Sequence, residues 1–376
     1  MEAEQKLTLL GDAAQYDLCA EAGQPMPNGT SIADVSRHIA HLVRADGKRI
    51  PVLKTLLTNA CAKDCYYCPF RAGRNYRRTA YKPEELASLV HQMHRYRMIE
   101  GLFLSSGIVG RGEYSQEKII ATGEILRQKY RFPGYLHLKL MPGASDAAIA
   151  RAMELADRVS INLEAPNAER MALLSSTKDH LADLVEPLRR AKRIADRTGL
   201  NTSRTTQFVV GAAGESDREI LAAVSSLYRE VGLARTYYRA FHPVPDTPLE
   251  GRPPTDPIRE RRLYQADFLV RQYRFSFDDL VLDDEGNLPV SQDPKTAWAL
   301  ANPARFPVEI NRADLDMLLR IPGIGPQSAR RILVLRREHG LRDIDELARL
   351  GADAKRAAPF VLLDGRRVPL QLELGL

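Results

Sequence analysis

Cysteine is scarce in this chain: its 376 residues hold only four, Cys19, Cys61, Cys65 and Cys68. Three of them crowd into one short stretch, so no disulfide framework can be drawn and a reducing compartment is expected. Long apolar runs are missing too. No stretch approaches the ~18 consecutive apolar residues that a membrane-crossing helix needs. The opening "MEAEQKLTLLGDAAQYDL" carries acids early and lacks an extended apolar core, so no secretory signal is expected and a cytoplasmic location is. Neither charge sign dominates. The net charge is +6, a mild basic excess that favours an anionic partner without identifying one. Hydrophobic residues at 44% and charged residues at 27% exclude a disordered chain and allow a sizeable core.

What is present is a regular alternation. Strand-like runs at 51–59, 99–107, 134–143, 158–166, 205–215 and 234–244 alternate with helical stretches at 82–97, 116–130, 145–156, 181–199 and 216–232. Ser145 opens one helix and Gly199 closes another. Consecutive βα units imply a parallel sheet, because parallel neighbours need crossover connections. The sheet is either a partial barrel or an open doubly wound sheet, and both place the ligand at the C-terminal strand ends. A Pro-rich loop follows at 242–257, then a helix at 258–274, a connector to 307, and short helices to the end. The expected division is an N-terminal extension (1–50), a core (51–257), a connector helix and linker (258–307) and a small all-α domain (308–376).

The cysteines fall after the first strand of the alternation, in "TNACAKDCYYCPF" (58–70), spaced C-x3-C-x2-C. Zinc would want a second ligand pair, which the sequence does not supply. A redox pair would use Cys65 and Cys68 and leave Cys61 idle. A 4Fe–4S cluster on three thiolates would leave one iron open to a ligand that is not protein. Cys19 stands alone and reads as a small buried hydrophobe, with a catalytic role as the alternative. His38 and His41, one helical turn apart, have no third ligand nearby and read as surface or packing residues. The basic run "RAGRNYRR" (71–78) reads either as a solvated loop or as a phosphate-contacting lip with Tyr76 stacking on a base.

A second motif lies in "INRADLDMLLRIPGIGPQSARRILVLRREHG" (310–340). Two short helices flank Gly323, Ile324 and Gly325. The glycines permit a tight turn whose N–H groups point outward at a helix start, and Arg330 and Arg331 follow. This resembles the helix-hairpin-helix motif, which grips the DNA backbone without reading sequence. Residues 344–362 look like a degenerate second copy, with Gly351 kept and Asp353 in place of the second glycine. The bland alternative is an αα-hairpin used for packing or protein docking.

The cysteine spacing, with Tyr67 before the last cysteine and the βα units behind it, resembles the radical S-adenosylmethionine superfamily. That resemblance implies a partial (βα)6 barrel, a 4Fe–4S cluster on Cys61, Cys65 and Cys68, and S-adenosylmethionine on the open iron, cleaved to a 5′-deoxyadenosyl radical. It implies cofactor contacts from Tyr67, from Ser105, Ser106 and Gly107 after the second strand of the alternation, from Asn162 and Glu164 on the fourth, and from Val209 and Gly211 on the fifth. "SSG" stands where the superfamily usually has Gly-Gly-Glu. Over nearly its whole length the chain is similar to a family of DNA modification or repair radical S-adenosylmethionine proteins associated with a uracil-DNA-glycosylase-like partner. The resemblance implies that protein partner and an electron donor such as flavodoxin or ferredoxin, while the expected DNA substrate rests on the "PGIG" hairpin joined to the cysteine-bearing core. An RNA-modifying enzyme and a non-catalytic iron–sulfur scaffold are the alternative readings.

Overall fold

The computed structural model describes residues 3–14, 38–43 and 49–368, so Cys19 lies outside the described residues. The chain divides into two compact units. One comprises residues 1–215 and 222–255, the other residues 216–221 and 256–376. The connector segment thus belongs to the second unit.

The first unit is a curled half-barrel of seven strands: β1 (Ile39–Val43), β2 (Arg49–Leu56), β3 (Gly101–Ser105), β4 (Tyr135–Lys139), β5 (Arg158–Ser160), β6 (Ser203–Val210) and β7 (Arg235–Ala240). They lie in strictly sequential order. A doubly wound sheet reverses its order at a switch point, so sequential order decides between the two architectures the sequence allowed. Pairing is parallel from β2 to β7. Only β1–β2 is antiparallel, and β1 was not expected from the sequence. His38 and His41 therefore flank or lie on a strand rather than a helix; His38 is buried and His41 exposed. An N-terminal helix, Ala3–Ala13, also escaped the sequence reading.

Local chemistry sets the crossover helices. Ser145 caps Asp146–Leu155 by accepting from the Ala148 N–H, and Gly199 ends Glu186–Thr198 in the left-handed conformation. The helix expected at 116–130 spans Glu113–Glu124 and closes in a wider π turn, Ile125–Lys129. The strand expected at 158–166 keeps its ladder only to Ser160; the chain rejoins the sheet at a single bridge, Glu164 to Phe208. The result is a row of strand ends facing one way, at which Leu56, Ser105, Lys139, Asn162, Val209 and Arg239 line a common cavity.

The second unit packs short helices, among them Pro257–Gln272, Pro294–Ala301, Leu315–Arg320, Pro326–Leu335, Ile344–Arg349 and Ala354–Ala357. Ile310, Leu318, Ile321, Ile324, Ile332 and Leu347 form its fully buried centre. Beyond the expected helices it carries a small three-stranded sheet from β8 (Val308–Glu309), β9 (Val361–Leu363) and β10 (Arg366–Arg367).

Candidate active site and nucleic-acid interface

The loop bearing Cys61, Cys65 and Cys68 has little regular structure, so its carbonyls need donors from outside a ladder. Arg78 supplies them. Its Nη1 donates to Asn59 O (2.6 Å) and Phe70 O (2.8 Å), and its Nη2 to Arg71 O (2.9 Å) and Arg74 O (3.2 Å). Arg71 donates to Asp64 O, and Arg74 to Pro69 O and Pro245 O. Tyr76 packs edge-on against Phe70. These arginines hold the loop itself, so a phosphate-gripping lip at 71–78 is not what the structure builds.

Asp64, between the first two cysteines, accepts from Ser175 Oγ, Ser176 N and Oγ, and Thr177 Oγ1. Burial alone would raise its pKa; the hydrogen bonds from Ser175, Ser176 and Thr177 outweigh it and hold the carboxyl well below the usual range. This knot fixes the segment that delivers Lys178. The Lys178 ammonium lies 3.8 Å from Glu164 Oε1. Burial would push Lys178 down, but the neighbouring Cys65 and Glu164 outweigh it and hold it up. Burial pushes the Cys65 thiol up, with Lys178 opposing, and burial and the neighbouring Cys65 push Cys68 up. The Phe70 N–H donates to Cys68 Sγ.

Glu164 takes φ = +64°, a strained value for a residue with a side chain. Its N–H and C=O are pinned to Gln207 O and Val209 N, so the backbone holds the strain. Burial and the adjacent Glu164 carboxylate push the Tyr67 phenol up, and Lys178 faces one carboxylate oxygen, Oε1. The other oxygen, Oε2, is buried without a hydrogen-bond partner, an unusual and costly state for a carboxylate. A buried acceptor beside three thiols on one cavity wall fits a cluster plus a ligand carrying hydroxyl or ammonium donors. Among the described residues no three His, Cys, Asp or Glu side chains converge on one point as a mononuclear ion requires; the three thiols instead share the cavity wall.

Of the residues singled out from the sequence, Tyr67, Ser105, Ser106, Gly107, Asn162, Glu164 and Val209 line this cavity. Gly211 does not. A side chain there would strike Thr255 Oγ1, and its N–H bonds Glu215. The backbone of Gly107 is engaged internally, with its N–H on Thr58 O and its carbonyl taking Ser115 Oγ. A Cβ on Gly107 would fall 2.1 Å from Ala60 O, so only glycine lets β3 approach the cysteine loop there. Sequence reading missed Lys178, Lys139, Gln207 and Arg239. Lys139 had a signal: in "YLHLKL" polar residues alternate with leucines, marking a polar inner face. Lys178 had none, since it sits in a loop.

In the second unit Gly323 takes φ = +84°, and a side chain there would meet Asp353 O at 2.3 Å. The two turns are joined through Asp353 N to Gly323 O (2.8 Å). They differ at the next helix start. Asp353 caps its helix through the Arg356 N–H, whereas Gly325 leaves Pro326–Leu335 without a side-chain cap. The first turn is thus the one open to an anion. Arg330 and Arg331 are exposed on the helix that follows, and Arg331 reaches the second turn, donating to Leu350 O. The Ile324 side chain is core, so only its backbone belongs to the turn. Beneath lies a residue the sequence did not flag: Lys295, 6% exposed, donates to Ile324 O and stacks on the Tyr273 ring.

Two outcomes are expected. Lys178→Met strands the Glu164 carboxylate and should destabilise the cluster-free protein by about 3 kcal/mol in urea unfolding, with part recovered in the Lys178→Met/Glu164→Gln double variant. Burial, with repulsion from Arg356, pushes Lys295 down to about 7 from lysine's 10.5, Asp293 opposing. Between those values the unfolded chain binds a proton the folded unit does not, so stability from this group rises with pH across that window. Lys295→Met should therefore flatten the gain in unfolding free energy between about pH 7 and about pH 9; equal gains in both proteins would refute the assignment.

Two family profiles match separate parts of the chain. Residues 55–227 match the profile described as Radical SAM superfamily. Residues 293–338 match the profile described as SAM-like Helix-hairpin-helix tandem. Among solved structures, the chain is similar to the FeFe-hydrogenase maturase HydG from Carboxydothermus hydrogenoformans (16% identity, 57% of this chain and 50% of that one, TM-score 0.45). It is also similar to methylornithine synthase PylB (15%, 52% and 55%, 0.42) and to the methyltransferase TsrM from Kitasatospora setae (14%, 55% and 38%, 0.38). The chain spans about half the length, or less, of these structures. Three thiols at the strand ends of a half-barrel lie inside the span that matches the Radical SAM superfamily, whose members bind a 4Fe–4S cluster and S-adenosylmethionine, and the same chain carries a helix-hairpin-helix domain.

Proposed function

We propose that the enzyme acts on DNA, modifying or repairing a base or sugar. The observation that carries this reading is the asymmetry of the paired turns: Gly325 leaves the helix bearing Arg330 and Arg331 without a side-chain cap, while Asp353 closes the other. An uncapped helix start with guanidiniums on the same helix suits a backbone phosphate and reads no base.

The cofactors, when bound, supply a 5′-deoxyadenosyl radical able to take a hydrogen atom from an unactivated carbon. The chain's own residues do the holding. Cys61, Cys65 and Cys68 ligate the cluster. Lys178 balances the charge of Cys65 and Glu164, and Glu164 Oε2 offers its open acceptor to S-adenosylmethionine. Tyr67 lines the same wall as that carboxylate. Ser105, Ser106, Asn162 and Val209 complete the wall. A base inside a duplex cannot enter such a cavity, so the substrate nucleotide is flipped or single-stranded. An electron donor of the flavodoxin or ferredoxin type and a uracil-DNA-glycosylase-like partner belong to this reading.

Anaerobic reconstitution with dithionite should yield 5′-deoxyadenosine, and DNA should raise the yield. None under any condition would sink the catalytic reading, and stimulation by RNA alone would move the substrate to RNA. Arg330→Gln and Arg331→Gln should weaken duplex binding about equally across sequences and lower the salt slope by about one for each phosphate no longer neutralised. Iron content should not change. Unaltered binding would reduce the hairpin to a packing element.

A further inference from the structure

The cavity of the first unit is lined by more positive charge than the cofactors can use. Lys63, Lys139, Lys178 and Arg239 line it together with His242, against one carboxylate, Glu164. Each lysine already has a partner. Lys63 donates to Thr177 O (2.6 Å) and Asp183 (3.3 Å). Lys178 is paired with Glu164 and Cys65. Lys139 donates to Asn162 Oδ1. Arg239 differs: among the described residues its guanidinium has no hydrogen-bond or ion-pair partner. The cofactors bring little anionic charge to offset it: three thiolates on a dicationic cluster leave a single negative charge, and S-adenosylmethionine has one carboxylate beside its own sulfonium cation.

A guanidinium stays charged at any working pH. Covering it with substrate is costly unless an anion meets it. Its planar fork suits the paired oxygens of a phosphate. Position narrows the role further. Arg239 stands opposite Val209 on β7, the last strand in the sheet order, and His242 follows three residues later. The loop after β7 is fastened to the cysteine loop through Leu249 N to Tyr66 O (3.3 Å) and Arg74 Nε to Pro245 O (3.2 Å). Arg239 and His242 therefore mark the unpaired margin of the half-barrel, where a chain too long to enter can lie across the rim.

We propose that Arg239, assisted by His242, is the substrate's anion subsite, and that it takes a phosphate ester of the nucleotide presented to the cavity. This rests on the nucleic-acid reading above and names which part of the nucleotide the cavity itself holds. The ester is either the phosphodiester of a strand or the phosphate of a free nucleotide.

The test uses the reconstituted full chain with S-adenosylmethionine present and no reductant. Three probes are titrated by calorimetry: a thymidine tetranucleotide, thymidine 5′-monophosphate and thymidine. Wild type should bind at least one phosphorylated probe about tenfold or more tighter than thymidine, the scale of one charge-assisted bidentate contact. Arg239→Gln should erase that preference and leave thymidine binding unchanged, while Arg239→Lys should restore part of it. Iron content and the thermal midpoint of each variant identify a loss as local. Preference for the tetranucleotide assigns a strand phosphodiester; equal binding of the monophosphate assigns a free nucleotide. Equal binding of thymidine and both phosphorylated probes by wild type, or an undiminished preference in Arg239→Gln, overturns the inference. The Arg330→Gln/Arg331→Gln variant separates the two claims: it should lose duplex affinity and keep monophosphate binding. Duplex affinity retained there while Arg239→Gln loses the phosphate preference would refute the hairpin reading and leave this subsite standing.

Discussion

One guanidinium holds the loop on which the chemistry depends. The cysteine loop must place three thiols over the strand ends, yet it has neither helix nor ladder to pair its carbonyls. Arg78 takes four of those carbonyls with two nitrogens. Its planar, always charged fork does this in a way a lysine could not copy. Asp64 anchors the same loop from the other side on Ser175, Ser176 and Thr177. Because those residues precede Lys178, the anchor that fixes the cysteines also sets the cation beside them.

The site is built from groups that are expensive to bury. Glu164 combines a left-handed backbone, 7% exposure and an unsatisfied oxygen. Such features persist only where the surroundings over-determine them. Here the β6 backbone grips Glu164 on both sides, and Lys178 faces one carboxylate oxygen while the other stays open. The same unit leaves Arg239 without a partner at its margin. Stability is given up at both places where a ligand would restore it.

The second unit shows how two nearly equivalent turns acquire different tasks. Gly323 and Gly351 share the same left-handed conformation, at φ = +84° and +85°. One step later the copies diverge, with Gly325 in one and Asp353 in the other. A carboxylate at a helix start satisfies the N–H groups and repels anions; a glycine leaves them for an outside ligand. The capped copy supports the open one, since the backbone of Asp353 bonds Gly323 directly.

The sequence by itself determined what depends on local order. Alternation gave the parallel βα units, Ser145 and Gly199 their helix ends, the C-x3-C-x2-C spacing the three thiols, and "PGIG" the hairpin. Asn162, Glu164 and Val209 were expected on one cavity and do line it, although the β5 ladder ends at Ser160, before the first two. Tertiary structure alone decided the rest. The sequential strand order that makes a half-barrel is a matter of long-range pairing. Strand β1 pairs across a segment without periodicity. Gly211 looked like a cofactor contact, but its neighbour is Thr255, more than forty residues away. Arg71, Arg74 and Arg78 looked like a surface for phosphate and were turned inward by carbonyls that only the folded loop gathers. Lys178, Arg239 and Lys295 carried no local mark at all. A lysine or arginine in a sequence is solvated by default, and only burial beside a carboxylate, an open cavity or a turn carbonyl gives it a role.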